Sequence, residues 1–247
     1  SAIYLNVDKW TNEFYEKGYA SEYHRSTAFQ YMYQHLDEQL RILMNIPSTH
    51  AIFLASSGSE IMERILQNCV SKSSFHFING AFSKKFYNYA NRIGLDTSKY
   101  ESEFFTDFYP FIHSDTELIC ITHNETSTGI KTNEAYIHNI KKRNPKSILA
   151  VDTVSSAPFV DLDYSLVDIS FFSTQKAFGL PAGIGIWIVN RNVAENLAVA
   201  NYSDKRSAHN TIGDLLKNYK TFQTPSTPNV LGIYLMGRVA HDMNEKG

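Results

Sequence analysis

The chain of 247 residues is short of several things, and each shortage narrows what it can be. It has only two cysteines, Cys69 and Cys120, far apart and each inside an apolar segment. No disulfide framework can rest on them, so they read as buried thiols in a reducing compartment. Long apolar runs are missing as well: the hydrophobic stretches are of strand length, too short to cross a bilayer. The opening "SAIYLNVDKW" has neither the basic n-region nor the apolar h-region of a signal peptide. A soluble, cytoplasmic protein is expected, with no membrane association. Nor is there an excess of charge of one sign. The formal net charge is -2 and the basic residues are scattered rather than striped, which removes the electrostatic footprint of a nucleic-acid partner. Internal repeats, low-complexity tracts and long linkers are absent, and "NYSDKRSAHN" (201–210) is the most loop-like polar stretch.

What is present is enough apolar material, 43% of residues, to bury a substantial core. Strand-sized apolar segments recur at 51–56 ("AIFLAS"), 75–79 ("FHFIN"), 118–123 ("LICITH"), 148–153 ("ILAVDT"), 168–174 ("DISFFST") and 185–190 ("GIWIVN"). Between them lie segments with helical spacing, from Ser59 to Val70, Phe82 to Ile93 and Asn133 to Lys142. Strands that are apolar on both faces and alternate with helices predict an α/β fold, with a mostly parallel central sheet covered by helices. The chain ends in "NEKG" in what reads as a continuing helix, and more sequence is expected beyond it.

In such sheets ligands sit beyond the carboxyl ends of the strands. Polar sets follow the apolar strands at these positions: Ser57-Gly58-Ser59, Asn124-Glu125-Thr126, Asp152 and Gln175-Lys176. Each has an ordinary structural reading alone, as a helix cap, a turn residue or a surface lysine. Each also has a chemical one. "SSGSE" (56–60) opens a helix after a strand, so the N–H groups of Gly58, Ser59 and Glu60 could meet a phosphate. Phe82, after "FING", could lie flat on a cofactor ring. Asp152 could hold a pyridinium nitrogen protonated. Lys176 could form a Schiff base with an aldehyde cofactor, and Gly179, Gly183 and Gly185 with Pro181 would turn the chain away and leave room for it.

At these residues the chain resembles the class V aminotransferases of the fold-type I pyridoxal-phosphate enzymes. "HNETSTGI" (123–130), "AVDTVSSAP" (150–158), "STQKAFGLPAGIG" (173–185) and "FQTPSTPNVLGIYLMGRV" (222–239) are similar to that family's blocks, and "YHRSTAF" (23–29) is similar to its phosphoserine aminotransferase branch. The resemblance runs from Tyr23 to Val239. It implies a three-layer α/β/α large domain over residues 1–247, with part of the N-terminal arm and the small C-terminal domain lying outside this chain. It implies pyridoxal 5'-phosphate as cofactor and an aminotransferase acting on an amino acid, phosphoserine or a similar small or acidic one, and a 2-oxo acid.

By the same resemblance Lys176 is the Schiff-base lysine and proton carrier, and Asp152 is the partner of the ring nitrogen. Thr126 pairs with the phenolic oxygen, and Phe82 stacks on the ring where relatives more often carry Trp. Gly58, Ser59, the Glu60 N–H and Gln175 contact the phosphate. Gln223 and Thr224 reach the phosphate of a neighbouring subunit, which makes a homodimer with shared sites the functional unit. His24 and Arg25 hold an acidic substrate group, a role suited to a guanidinium. The branch's arginine near the phosphate cup has no counterpart, since Glu60 and Arg64 occupy that region. Alternatives within the cofactor class are a serine- or alanine-glyoxylate-type aminotransferase and a lyase such as a cysteine desulfurase. Phe82 and the lack of any cysteine after Cys120 oppose the lyase. A catalytically inactive binding protein of the same fold is the alternative outside enzymes.

Overall fold

The computed structural model describes residues 2–105, 108–200 and 209–246; most of the loop-like stretch 201–210 therefore lies outside the described residues. Strands β1 (His50–Ala55), β2 (Ser73–Ile78), β3 (Asp96–Glu101), β4 (Leu118–Thr122), β7 (Ile148–Asp152), β8 (Ile169–Ser173) and β9 (Gly185–Asn190) form one seven-stranded sheet in the order β1-β9-β8-β7-β4-β2-β3. Only β9 runs against its neighbours, pairing antiparallel with β1 and β8. The short β5 (Asn124–Glu125) and β6 (Ile130–Lys131) form a separate hairpin. All residues of β4 and β8 are buried, which is why these strands read as unbroken apolar runs. The expected α/β class and parallel sheet are present, and the expected strands agree with the observed ones to within a residue or two.

Helices α1 (Val7–Glu16), α2 (Thr27–Met44), α3 (Gly58–Asn68), α4 (Ala81–Arg92), α5 (Glu134–Arg143), α6 (Arg191–Ala200), α7 (Ile212–Tyr219) and α8 (Val230–Lys246) surround it. α3 packs on β1, β8 and β9, α4 packs on β2, β3 and β4, and the two helices touch each other. α2 lies along α8 and is tied to the sheet by the Tyr33 hydroxyl, which donates to the Ile52 carbonyl at 2.6 Å. Among the described residues no helix is long and apolar enough to cross a membrane. Cys69 and Cys120 are both free and buried, and burial pushes both thiols up.

The glycines around the α3 start set how closely helix and sheet approach. A Cβ on Gly58 would lie 2.9 Å from Ser173 Oγ and 2.9 Å from Val154 Cγ2; one on Gly185 would lie 2.8 Å from the Ser57 carbonyl carbon. After Lys176, Gly179 takes a left-handed φ of 58°, and its carbonyl accepts from the Tyr4 N–H at 2.8 Å. The glycines were expected to leave room for a ligand. Two of them make room for the chain's own backbone, Gly185 for the α3 cap and Gly179 for the N-terminal arm. Replacing Gly185 with Ala should therefore destabilise the fold by about 1–3 kcal/mol through overpacking against backbone, visible as a lower midpoint in thermal unfolding. An unchanged midpoint would show that the helix start is free to yield.

Candidate active site

The carboxyl ends of β4, β7 and β8 and the first turns of α3 and α4 enclose a small cleft that opens to solvent. Its lining includes Gly58 and Ser59 from α3, Phe82 from α4, Thr122, Thr126, Asp152, Ser155 and Ser173. Sheet register accounts for the grouping: Thr122 is paired with Asp152 across β4 and β7, and Asp152 with Phe171 across β7 and β8.

Asp152 is buried at 3% exposure. Its Oδ1 accepts from the Val154 N–H at 2.9 Å, and its other oxygen has no donor among the described residues. Burial pushes its carboxyl up to about 7; the Val154 N–H opposes this, the Glu125 charge adds to it, and the charge of Lys176 opposes it. Thr122 Oγ1 is also buried without a partner. The cavity floor thus offers an acid with one open oxygen and an unsatisfied hydroxyl.

Glu125 has no exposed surface and sits at the start of the β5–β6 hairpin. Its Oε2 accepts from the Phe82 N–H at 3.1 Å and the Ser83 N–H at 2.9 Å, while Ser127 Oγ accepts from the Ala81 N–H at 2.8 Å. Burial alone would raise its carboxyl, but the donors from Ser83 and Ser127 outweigh it and hold it below the usual range. A carboxylate at the amino end of α4 is favoured by the helix dipole. Gly80 makes the approach possible, since a Cβ there would lie 2.3 Å from Glu125 Cγ. The result fixes the start of α4 and with it Phe82, which is 41% exposed at the cavity edge. Thr126 Oγ1 hydrogen-bonds Ser155 Oγ on the opposite wall.

The α3 start is arranged differently from the expectation of three open amides. Gly58 N–H donates to Ser173 Oγ at 2.8 Å and Glu60 N–H to the Ser57 cap at 3.1 Å, leaving the Ser59 N–H open among the described residues. The Glu60 carboxylate turns back to the Ser56 N–H at 2.7 Å and pairs with Arg64 at 3.5 Å. Gln175 and Lys176 are half-buried in the turn directly after β8.

His24, Arg25, Gln223 and Thr224 do not line this cavity. Thr224 lines a second cleft with Glu60 and Gly183, and its hydroxyl donates to the Ser226 carbonyl at 2.8 Å. Arg25 is exposed, and its guanidinium donates to Gln223 Oε1 at 3.3 Å. The structure therefore joins residues that sequence reasoning had assigned to two separate tasks. His24 Nδ1 is buried without a partner.

Sequence reasoning did not single out Lys85, whose Nζ donates to Ser59 Oγ at 2.7 Å, or Ser173 and Ser155. Lys85 carried one usable signal, since it stands one helical turn after Phe82 and so on the same face of α4.

A seven-stranded, mostly parallel sheet flanked by helices is the fold of solved fold-type I aminotransferases. Residues 98–247 match the family model Aminotransferase class-V, and the chain belongs to that family. It is similar to the crystal structure of a phosphoserine aminotransferase from Cytophaga hutchinsonii, with TM-score 0.93 and 38% identity, covering 99% of this chain and 69% of that one. An alanine–glyoxylate aminotransferase from Nostoc sp. shares the fold with TM-score 0.78 at 19% identity, covering 100% of this chain and 66% of that one. Among curated sequences, a phosphoserine aminotransferase of Lactococcus lactis is 27% identical over 91% of this chain. The chain spans 61% of that relative's length.

The buried acid makes a measurable prediction. In the cofactor-free protein the Asp152 carboxyl is near 7 when folded and near 3.8 when unfolded, so between these values the folded state binds the extra proton. Stability from this group is full below about pH 4 and is lost as pH rises through 7. Asp152→Asn keeps an acceptor for Val154 and removes the titration. The stability of the Asp152→Asn variant relative to the parent should therefore rise by roughly 4 kcal/mol between pH 4 and 8, as read by denaturant unfolding at several pH values. Parallel pH profiles would mean that Asp152 is ionised at ordinary cost.

Proposed function

We propose that this chain is the large domain of a pyridoxal 5'-phosphate-dependent aminotransferase that moves an amino group from an acidic amino acid, such as phosphoserine, to a 2-oxo acid. The observation that carries this reading is Asp152: a buried carboxyl with one open oxygen, in a cavity lined by the Phe82 ring and by Ser173 at the end of β8, with Lys176 near enough to act on it electrostatically. The residues fit the cofactor. An acid that burial has raised to about 7 gains most from a positively charged N–H donor, and the unpartnered Thr122 hydroxyl leaves polar capacity at the same wall.

When bound, the cofactor supplies an electron sink that allows an amino acid to lose its Cα proton. The chain supplies the rest. Asp152 would keep the pyridine nitrogen protonated, with the carboxyl oxygen that Val154 leaves open available to accept that N–H. Thr126, placed against Ser155 by a hydroxyl–hydroxyl bond, serves the phenolic oxygen. Phe82 covers one ring face and excludes water from it, at an angle set by Glu125 through the α4 amides. Gln175 and the Ser59 N–H serve the phosphate, while Gly58 gives up its amide to Ser173 and acts through close packing. Lys176 would anchor the cofactor and hold the proton taken from the substrate Cα.

Arg25 recognises the acidic end of the substrate. Its bond to Gln223 favours a single surface patch that also holds Thr224. These residues lie apart from the Asp152 cavity of their own chain, and the shared-site homodimer that the family resemblance implies is the arrangement in which they would serve the cavity of a second copy. The relatives named phosphoserine aminotransferase support the acidic substrate.

Addition of phosphoserine to the cofactor-loaded protein should abolish its visible absorbance band as the amino group is taken up. Arg25→Ala should raise the concentration of phosphoserine needed by roughly 10- to 100-fold, the weight of a charge-assisted pair, and leave the response to alanine nearly unchanged. Equal losses with both donors would remove Arg25 from substrate recognition, and no spectral response to any amino acid would overturn the proposed activity.

A further inference from the structure

Lys85 sits on α4, one turn beyond Phe82, and reaches across to α3, where its Nζ donates to Ser59 Oγ at 2.7 Å. Its ammonium also lies 5.5 Å from the centroid of the Tyr89 ring, a cation–π contact that steadies the far side of the chain. Among the described residues no carboxylate lies within ion-pair distance of it. Lys85 is half-buried, has no counter-ion among the described residues, and reaches the cavity through the Ser59 hydroxyl, where it offers a positive charge to an anion.

The hydrogen bond to Ser59 has a directional consequence. A hydroxyl that accepts from an ammonium has its own proton left to donate elsewhere, so Lys85 converts Ser59 into a donor. The Ser59 N–H is open as well, since the amides on either side of it are engaged by Ser173 and Ser57. Two donors from Ser59 then face this end of the cavity, with the Lys85 ammonium directly behind the hydroxyl. The acid Asp152 stands in the same cavity with Glu125 close enough to act on it electrostatically, so a doubly charged ligand entering there needs a local cation. Lys176, on the reading above, is committed to the cofactor's aldehyde carbon, and Arg64 is directed to Glu60 and the His209 carbonyl.

We propose that Lys85 is the cation of the phosphate site, binding the phosphate monoester of the cofactor directly and through the Ser59 hydroxyl. It takes the electrostatic place for which an arginine beside the α3 start was sought in the sequence. An ammonium is suited to this as a compact point charge, and charge-assisted bonds to phosphate are among the stronger ones a protein makes. This assignment rests on the reading of the cavity as a pyridoxal-phosphate site.

The test is binding rather than turnover. Pyridoxamine 5'-phosphate and pyridoxamine, which differ only in the phosphate and form no covalent bond with Lys176, are titrated calorimetrically into the cofactor-free protein and into Lys85→Gln and Lys85→Arg. The expected result is a roughly 10- to 100-fold loss of pyridoxamine 5'-phosphate affinity in Lys85→Gln, most of it recovered in Lys85→Arg, with pyridoxamine affinity changed by less than about twofold. Equal weakening of both ligands would make the lysine a structural element and overturn the assignment. Unchanged affinity for both would also overturn it. So would unchanged pyridoxamine 5'-phosphate affinity with weakened use of phosphoserine, which would place the charge on the substrate's phosphate. If the parent protein binds neither ligand, the cavity is not a pyridoxal-phosphate site and both readings fall; if the parent binds and Lys85→Gln binds equally well, only the role of Lys85 falls.

Discussion

The close approach of the first turn of α3 to the ends of β8 and β9 is the constraint on which the site depends. Gly58 donates its N–H to Ser173 on one side, and Gly185 lets β9 begin against the Ser57 backbone on the other. Any Cβ at either position meets atoms within 3 Å. The helix start is therefore locked at the mouth of the sheet, where it divides two cavities: Gly58 and Ser59 face the one that holds Asp152, and Ser56 and Glu60 face the one that holds Thr224. The turn that carries Gln175 and Lys176 leaves β8 directly beside this junction, so its origin is set by the same contact.

Glu125 does for α4 what the glycine contacts do for α3. A buried carboxylate costs several kcal/mol unless its lone pairs are filled. Here the amides of Phe82 and Ser83 and the hydroxyls of Ser83 and Ser127 fill them. The same charge raises the neighbouring Asp152. Fixing an aromatic ring and keeping an acid ready for a cationic partner are thus two effects of one side chain.

Much of the architecture was legible in the sequence because a two-face-buried strand leaves an unbroken apolar signature. β4 and β8 show it, and the residues that follow them are chemically expressive for the same reason: only at strand ends can polar groups face a cavity. β3 was not legible. Its sequence, Asp96 to Glu101, is polar because it forms a sheet edge with exposed side chains. α2 buries Phe29, Tyr33, Leu36 and Leu40 at helical spacing, but the strand-favouring Tyr31 and Tyr33 blur the period. Of the cavity lining, Asp152, Phe82 and the α3 start are picked out by their positions after apolar strands; Lys176 is picked out in the same way and lies in the turn after β8, outside that lining. Lys85 carried only its spacing from Phe82, since nothing in a linear sequence says that its ammonium crosses to another helix. The engagement of the Gly58 and Glu60 amides, and the contact of Arg25 with Gln223, likewise exist only once the chain is folded.

The account stands on Lys176 being the residue that takes the cofactor. The most direct measurement is borohydride reduction of the cofactor-loaded protein, which converts a lysine–cofactor C=N bond to a stable amine, followed by peptide mass spectrometry. The pyridoxyl group is expected on the peptide containing Lys176 and on no other. Its appearance on Lys85 or on another lysine, or the absence of any label, would contradict the assignment of the site.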